Sequence, residues 1–119
     1  MKKFLTLLLV GAGLSMAAQA KDAKCKIVFG DEWLINDTCT FTSINGDGSF
    51  ILSGERGFYN EIQAVKIVLK DKDVANMFIS DNGTWKNWGK AIRSKSQPAC
   101  WSGKPTKMRT SYQICVYAK

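Results

Sequence analysis

The sequence predicts a mainly antiparallel all-β domain, folded as a small sandwich or barrel, with one short helix and two disulfides. Three observations favour this fold class. Short runs of β-branched and aromatic residues alternate with polar residues, and turns rich in glycine, asparagine and aspartate separate these runs. The chain also holds four cysteines and no histidine. About six or seven short strands of this kind are typical of one small sandwich or barrel.

The first 20 residues form a predicted signal peptide. Lys2 and Lys3 give a positive start, an apolar run covers residues 4–10, and Ala18-Gln19-Ala20 has the small-x-small form of a cleavage site. The most apolar part is shorter than the ~20 residues that a transmembrane helix needs. We therefore expect cleavage after about Ala20 and a bacterial protein of the periplasm or the exterior. Residues 21–119 would form one mature domain without a transmembrane span.

Alternating patterns predict the strands in order along the chain. Cys25, Ile27 and Phe29 share one face of the first strand. The sequence Asn45-Gly46-Asp47-Gly48 predicts a tight turn before the third strand, and a short charged turn is predicted at 71–73. The predicted strands cover residues 25–29, 38–42, 49–53, 64–69, 74–79 and 111–118.

One segment departs from the alternating pattern. Trp85, Trp88, Ala91 and Ile92 recur at spacings of three, four and seven residues, which is typical of one face of a helix. Gly89 is a poor helix former and weakens this interpretation. The spacing nevertheless predicts one short helix over residues 84–94.

The cysteines predict two disulfides. An even number of cysteines in a short exported chain is typical of a disulfide framework. A zinc site is the alternative, but the chain has no histidine and no Cys-x-x-Cys spacing, so the disulfides are favoured. The residues concerned are Cys25, Cys39, Cys100 and Cys115.

Four cysteines allow three pairings, and the spacing favours one of them without excluding the others. Cys25 and Cys39 flank a predicted turn at 31–33, while Cys100 and Cys115 flank a polar stretch. Each pair could therefore face across a hairpin at a spacing that a disulfide tolerates. We expect the pairs Cys25–Cys39 and Cys100–Cys115.

The residue types present argue against most catalytic sites. Without histidine, Ser-His-Asp and Cys-His triads and histidine metal sites are excluded, and oxidised cysteines supply no thiolate nucleophile. A hydrolase with paired carboxylates is the remaining alternative. Its first candidates, Asp31 and Glu32, are adjacent and would point to opposite faces of a strand. We expect a protein that is not an enzyme and that has no cofactor and no metal.

Charge is distributed unevenly along the chain. Residues 21–81 hold all ten acidic residues. Residues 82–119 hold eight lysines and arginines and no acidic residue. Basic residues interleaved with aromatic ones can bind a polyanion. The alternative is that the tryptophans belong to the core and the lysines only solvate the surface. The candidate binding residues are Trp85, Lys86, Trp88, Lys90, Arg93, Lys95, Lys107 and Arg109.

Several short motifs occur in a fixed order, namely Cys25, Cys39-Thr40-Phe41, Asp47-Gly48-Ser49-Phe50, Cys100-Trp101 and Ile114-Cys115. This order resembles the C…GxCxF…DGSF…CW…IC pattern of a family of small exported bacterial proteins of uncharacterised function. Asp37 stands where that pattern has glycine. The resemblance implies a two-disulfide β domain over nearly the whole mature chain, and it supplies no activity.

Two functional hypotheses follow. The leading one is a non-enzymatic exported domain that binds or inhibits another envelope or secreted protein, because a rigid small domain loses little freedom on association. This is an analogy of size and compartment. The alternative is binding of an anionic glycan, lipid or nucleic acid through the basic, aromatic C-terminal third. High salt should weaken a polyanion complex steeply, whereas a packed protein interface should largely survive.

Overall fold

The structure is a computed structural model that describes residues 20–54, 57–58, 62–104 and 110–119. Residues 1–19 of the predicted signal peptide lie outside the described residues, as do Lys107 and Arg109 of the predicted binding set. The described chain forms eight strands. They are β1 (Ala20–Phe29), β2 (Glu32–Ile44), β3 (Ser49–Ser53), β4 (Ile62–Asp71), β5 (Val74–Asp81), β6 (Thr84–Arg93), β7 (Cys100–Gly103) and β8 (Tyr112–Ala118).

The eight strands close into a barrel. Each strand pairs antiparallel with the next along the chain, and β8 pairs antiparallel with β1. The predicted all-β, antiparallel class is therefore confirmed, and of the two predicted architectures the barrel is the one formed. We call the end where β1 begins the proximal end and the end where β1 finishes, at Phe29, the distal end.

The predicted helix over residues 84–94 is wrong, because this segment is strand β6, Thr84–Arg93. Its register against β5 contains a bulge: Phe78 lies opposite Asn87 and Met77 opposite Gly89, which leaves Trp88 as an extra residue. Gly89 has a φ of +98°, a conformation that glycine adopts easily. Because of this extra residue, Trp88 and Ala91 both face the core although they are three residues apart, and that spacing is typical of a helix.

Side chains fill the interior of the barrel. Alternate residues of each strand point inward, as expected for a closed sheet of eight strands. Ile27, Leu52, Ile67, Met77 and Ile114 are almost completely buried. Trp101 is also buried, at 4 % exposure, so this tryptophan belongs to the core.

Both predicted disulfides are confirmed. Cys100 and Cys115 are directly opposite on β7 and β8, with their Cα atoms 4.0 Å apart. Cys25 and Cys39 bond diagonally across the β1–β2 hairpin, with their Cα atoms 5.7 Å apart. The hairpin turns at 30–31 instead of the predicted 31–33, because Phe29 already pairs with the residue at 32.

The two disulfides indicate a non-reducing, extracytoplasmic compartment, because cytosolic thiols are normally kept reduced. Within the described ranges of the chain, no helix is both long and apolar enough to cross a membrane.

Tyr112 anchors the distal part of the interior. The residue is 4 % exposed, and its ring packs beside that of Phe29, with the ring centroids 5.6 Å apart. Its hydroxyl donates a hydrogen bond to the carbonyl oxygen of Lys90 at 3.1 Å. Burial disfavours the phenolate and raises the pKa of Tyr112 to about 12.

The Tyr112 pKa predicts a loss of stability in alkali. The unfolded phenol ionises near pH 10 and the folded one near 12, so between these values only the unfolded state loses its proton. The contribution of Tyr112 is therefore complete below pH 10 and falls as the pH rises towards 12. Urea unfolding of wild type and Tyr112→Phe across this window should show the difference between their free energies of unfolding shrinking as the pH rises. A constant difference would contradict the prediction.

Candidate binding face

The outer surfaces of three neighbouring strands, β4, β5 and β6, form one continuous face. Lys66, Phe78 and Asn87 lie side by side across these strands as cross-strand partners. They alternate with buried residues such as Ile67 and Met77, so they point outward. We define the β4–β6 face by its outward residues Lys66, Asn76, Phe78, Trp85, Asn87 and Lys90.

Trp85 is an exposed aromatic side chain of the β4–β6 face. It lies opposite Ser80, one step diagonally from Phe78, and it is 39 % exposed. The Lys66 ammonium lies 4.3 Å from the centroid of the Trp85 ring and 5.0 Å from the centroid of the Phe78 ring. A cation at these distances from an aromatic face is attracted by about 0.5–1 kcal/mol at an exposed site. The contacts favour this arrangement of the lysine and the indole over other rotamers.

The residues that define the β4–β6 face include two lysines and no aspartate or glutamate, and Asp71 and Asp81 are the last residues of β4 and β5. The strand segments 62–70, 74–80 and 84–93 contain no aspartate and no glutamate. Among the described residues, neither Lys66 nor Lys90 has a carboxylate oxygen within salt-bridge distance. The face therefore presents uncompensated ammonium groups next to aromatic rings.

The structure separates the cations that the sequence grouped together. Lys90 lies on the β4–β6 face, because its neighbour Ala91 is buried and it pairs with Asn76. Lys86 pairs with Ile79 near the distal end, where its ammonium donates to the Asp81 carboxylate at 3.0 Å. Only one of these two lysines thus contributes its charge to the face.

The remaining described cations of the predicted set lie at the proximal end. Arg93 donates from Nε to the carbonyl oxygen of Pro98 at 2.7 Å, and its guanidinium lies 5.8 Å from the Trp101 ring centroid. Lys95 is exposed in the connection that follows β6. These groups lie apart from Trp85, which stands in the distal half of the same strand.

The three tryptophans of the C-terminal third have different environments. Trp85 is exposed on the β4–β6 face, whereas Trp101 is in the core. Trp88 is half-buried at the distal opening, and its ring packs against Phe29 with centroids 4.9 Å apart. The alternative prediction that the tryptophans belong to the core therefore holds for Trp101 and, in part, for Trp88.

Sequence reasoning missed Lys66 and Phe78, because both precede the C-terminal third. The alternation in residues 64–69 already places Lys66 on the polar side of its strand. What the sequence lacks is the register, which brings β4 and β6 onto the two sides of β5. Without that register, nothing connects Lys66 with Trp85.

The distal opening contains a cavity of about 320 Å³. Aromatic and aliphatic side chains form most of its wall, and Glu32 and Asp81 lie at its rim. Asp31, the other candidate carboxylate, is exposed in the turn at 30–31. Among the described residues, no three histidine, cysteine, aspartate or glutamate side chains converge to hold a metal ion.

Comparison of the chain with protein-family models, with curated proteins and with solved structures gives no match. The geometry and the charge of the β4–β6 face are therefore the basis on which the function of the protein is inferred.

Proposed function

We propose that the protein is an exported, non-enzymatic domain that binds another protein of the cell envelope or the exterior through the β4–β6 face. In this proposal residues 1–20 are the signal peptide, cleavage follows about Ala20, and the mature domain acts in the periplasm or outside the cell. The two disulfides support the choice of compartment.

One observation carries the proposal: Trp85 is exposed on a strand of a closed barrel and is held by the Lys66 ammonium at 4.3 Å. Tryptophan is enriched among the few interface residues that supply most of the binding energy. A side chain that is already held in place loses less conformational freedom when a partner binds. An exposed indole whose orientation is favoured in this way is well suited to be a central anchor of a protein interface.

The rigidity of the barrel supports the same conclusion. Every strand of the closed sheet has two neighbours, and the Cys25–Cys39 and Cys100–Cys115 bonds join two pairs of adjacent strands, β1 with β2 and β7 with β8, into a cross-linked framework. A surface built on such a framework changes little in shape on binding, so little of the interaction energy is lost to reorganisation.

Trp85→Ala should weaken capture of the partner at least tenfold, because truncation of a tryptophan anchor commonly costs more than 1.4 kcal/mol. Oxidised wild-type and variant proteins would be immobilised at equal density, exposed to native envelope extract, and the retained proteins quantified by mass spectrometry.

Trp33→Ala is the matched control, because Trp33 is 53 % exposed but lies on β2, outside the β4–β6 face. We expect this variant to retain the partner as the wild type does. Equal retention by Trp85→Ala and wild type would show that the β4–β6 face is not the binding surface.

A second candidate function is binding of an anionic glycan, lipid or nucleic acid. It is favoured by the exposure of Lys90, Arg93 and Lys95 along β6 and the connection after it. Such a complex would depend on several ion pairs and would weaken steeply as salt rises. Retention of one protein through a high-salt wash favours the first function, and an anionic polymer released by that wash favours the second.

A further inference from the structure

We propose that the β4–β6 face recognises a carboxylate, so that its protein partner presents an aspartate or glutamate side chain to Lys66 beside an apolar group on Trp85. This inference rests on the proposed function, namely that a protein binds this face. It adds the chemistry of the partner at the point of contact.

The position of Lys66 is the first argument. Its ammonium lies between the Phe78 and Trp85 rings, at 5.0 and 4.3 Å from their centroids. Contact with a ring face leaves the positive charge in place, and an ammonium has three N–H donors. No carboxylate among the described residues lies within 4.0 Å of it. A bound carboxylate would give this group the hydrogen-bonded charge partner that the described part of the fold does not supply.

The polar groups around Lys66 are the second argument, because they are mainly donors. Asn87 lies opposite Phe78, and its Oδ1 accepts a hydrogen bond from the Gly89 backbone N–H at 2.6 Å. Because Oδ1 is engaged in this contact, the Asn87 amide offers a partner its two Nδ2 hydrogens, which are donors. Lys90 adds a second ammonium on the same face. A surface rich in donors and positive charge complements an acceptor-only group, and a carboxylate is such a group.

The number of cations favours a protein over an extended polyanion. Lys66 and Lys90 are the two lysines among the residues that define the β4–β6 face, whereas Lys70 lies near the proximal end of β4, Lys86 is paired with Asp81, and Arg93 is held at the proximal end. An extended polyanion gains affinity from many phosphate or carboxylate contacts along its length. Two ammonium groups beside an indole instead fit one or two carboxylates next to an apolar side chain.

The test uses oxidised protein labelled with ¹⁵N and two defined probes, a short peptide with a single glutamate next to a leucine, and polygalacturonate. We expect the peptide to shift the Trp85 indole N–H and Asn87 side-chain resonances saturably. Lys66→Gln should weaken this binding about tenfold, a loss of ~1.4 kcal/mol. Lys66→Arg, which keeps the charge, should retain most of it.

Lys26→Gln is the matched control, because the Lys26 ammonium also lies over an aromatic ring, that of Tyr117, at 5.9 Å. Lys26 is on β1, outside the β4–β6 face, so this variant should bind the peptide as the wild type does. The amide spectra of all variants would show whether each is folded, and the Lys66→Arg result stands even if Lys66→Gln does not fold.

Three results would overturn the inference. They are shifts caused by polygalacturonate but not by the peptide, the absence of shifts with either probe, and equal peptide affinity of Lys66→Gln and wild type. The inference and the proposed function fail separately. If the captured partner depends on Trp85 but is retained equally by Lys66→Gln, the protein-binding function stands and the carboxylate inference is wrong. If capture does not depend on Trp85, the proposed function itself is wrong.

Discussion

Replacing Cys100 and Cys115 together by alanine is expected to lower the free energy of unfolding by about 3 kcal/mol. The bond closes a loop with a sequence separation of 15 residues, and the chain-entropy model assigns about 3 kcal/mol to a loop of that size. A small domain has roughly 5–15 kcal/mol of stability in total, so the loss is a large share of it. Urea unfolding of the double variant and wild type measures the difference.

The second disulfide provides a comparison of nearly equal loop length. Cys25 and Cys39 are separated by 14 residues, so the entropic model gives the same cost for removing either bond. The Cys100–Cys115 bond, however, holds β7, which has only four residues. A larger loss of unfolding free energy in the Cys100/Cys115 double variant than in the Cys25/Cys39 one would show that this bond also maintains the β7–β8 pairing. A loss below 1 kcal/mol in both double variants would contradict the prediction.

Gly103→Ala is expected to destabilise the fold by about 3 kcal/mol, at the upper end of the usual cost of overpacking. Gly103 lies opposite Tyr112 in the β7–β8 pair, and a Cβ atom at residue 103 would overlap the Tyr112 ring. The ring cannot move freely, because it is buried and its hydroxyl is bonded to the Lys90 carbonyl. The melting temperature should fall by more than ~10 °C.

Two further variants test the cause of this loss. Gly46→Ala introduces the same methyl group in open space at a φ of +69°, so it should cost only about 1 kcal/mol of backbone strain. In a Tyr112→Leu background, Gly103→Ala should cost clearly less than in wild type, because the overlapping ring is gone. Equal costs in the two backgrounds would show that the clash with Tyr112 is not the reason.

Much of the fold could be predicted because the side chains of a barrel strand alternate between the interior and the exterior, which gives the sequence a two-residue hydrophobic period. Residues such as Ile27 and Ile67 alternate with polar neighbours, and turns such as 45–48 interrupt the pattern where a strand ends. The error at residues 84–94 has a local cause. The bulge at Trp88 shifts the inward positions by one residue, so Trp88 and Ala91 both face the core three residues apart, whereas Trp85 points outward.

The candidate site was only partly predictable, because it depends on register. Trp85 and Lys90 were identified from the cluster of basic and aromatic residues in the C-terminal third. Lys66 and Phe78 were not, since they come from strands that precede that third. Trp85 is close to Lys86 and Arg93 in the sequence, so the three were predicted as one group. In the folded sheet, the pairing of β4 and β6 with β5 places Trp85 beside Lys66 instead. Composition indicates that a basic, aromatic surface exists, and only pairing shows which residues share it.

Closure of the barrel by β1 and β8 has a consequence for how the chain folds. Nearly all strand pairs join neighbours in sequence and can form early, but the β1–β8 pair joins the two ends of the described chain and carries the largest loop-closure entropy. The Cys25–Cys39 hairpin can therefore oxidise while the sheet is still open. Until β8 docks, β1 presents an unpaired edge that can add a strand of another chain. Closure of the ring is thus the step at which the folding chain becomes protected from aggregation.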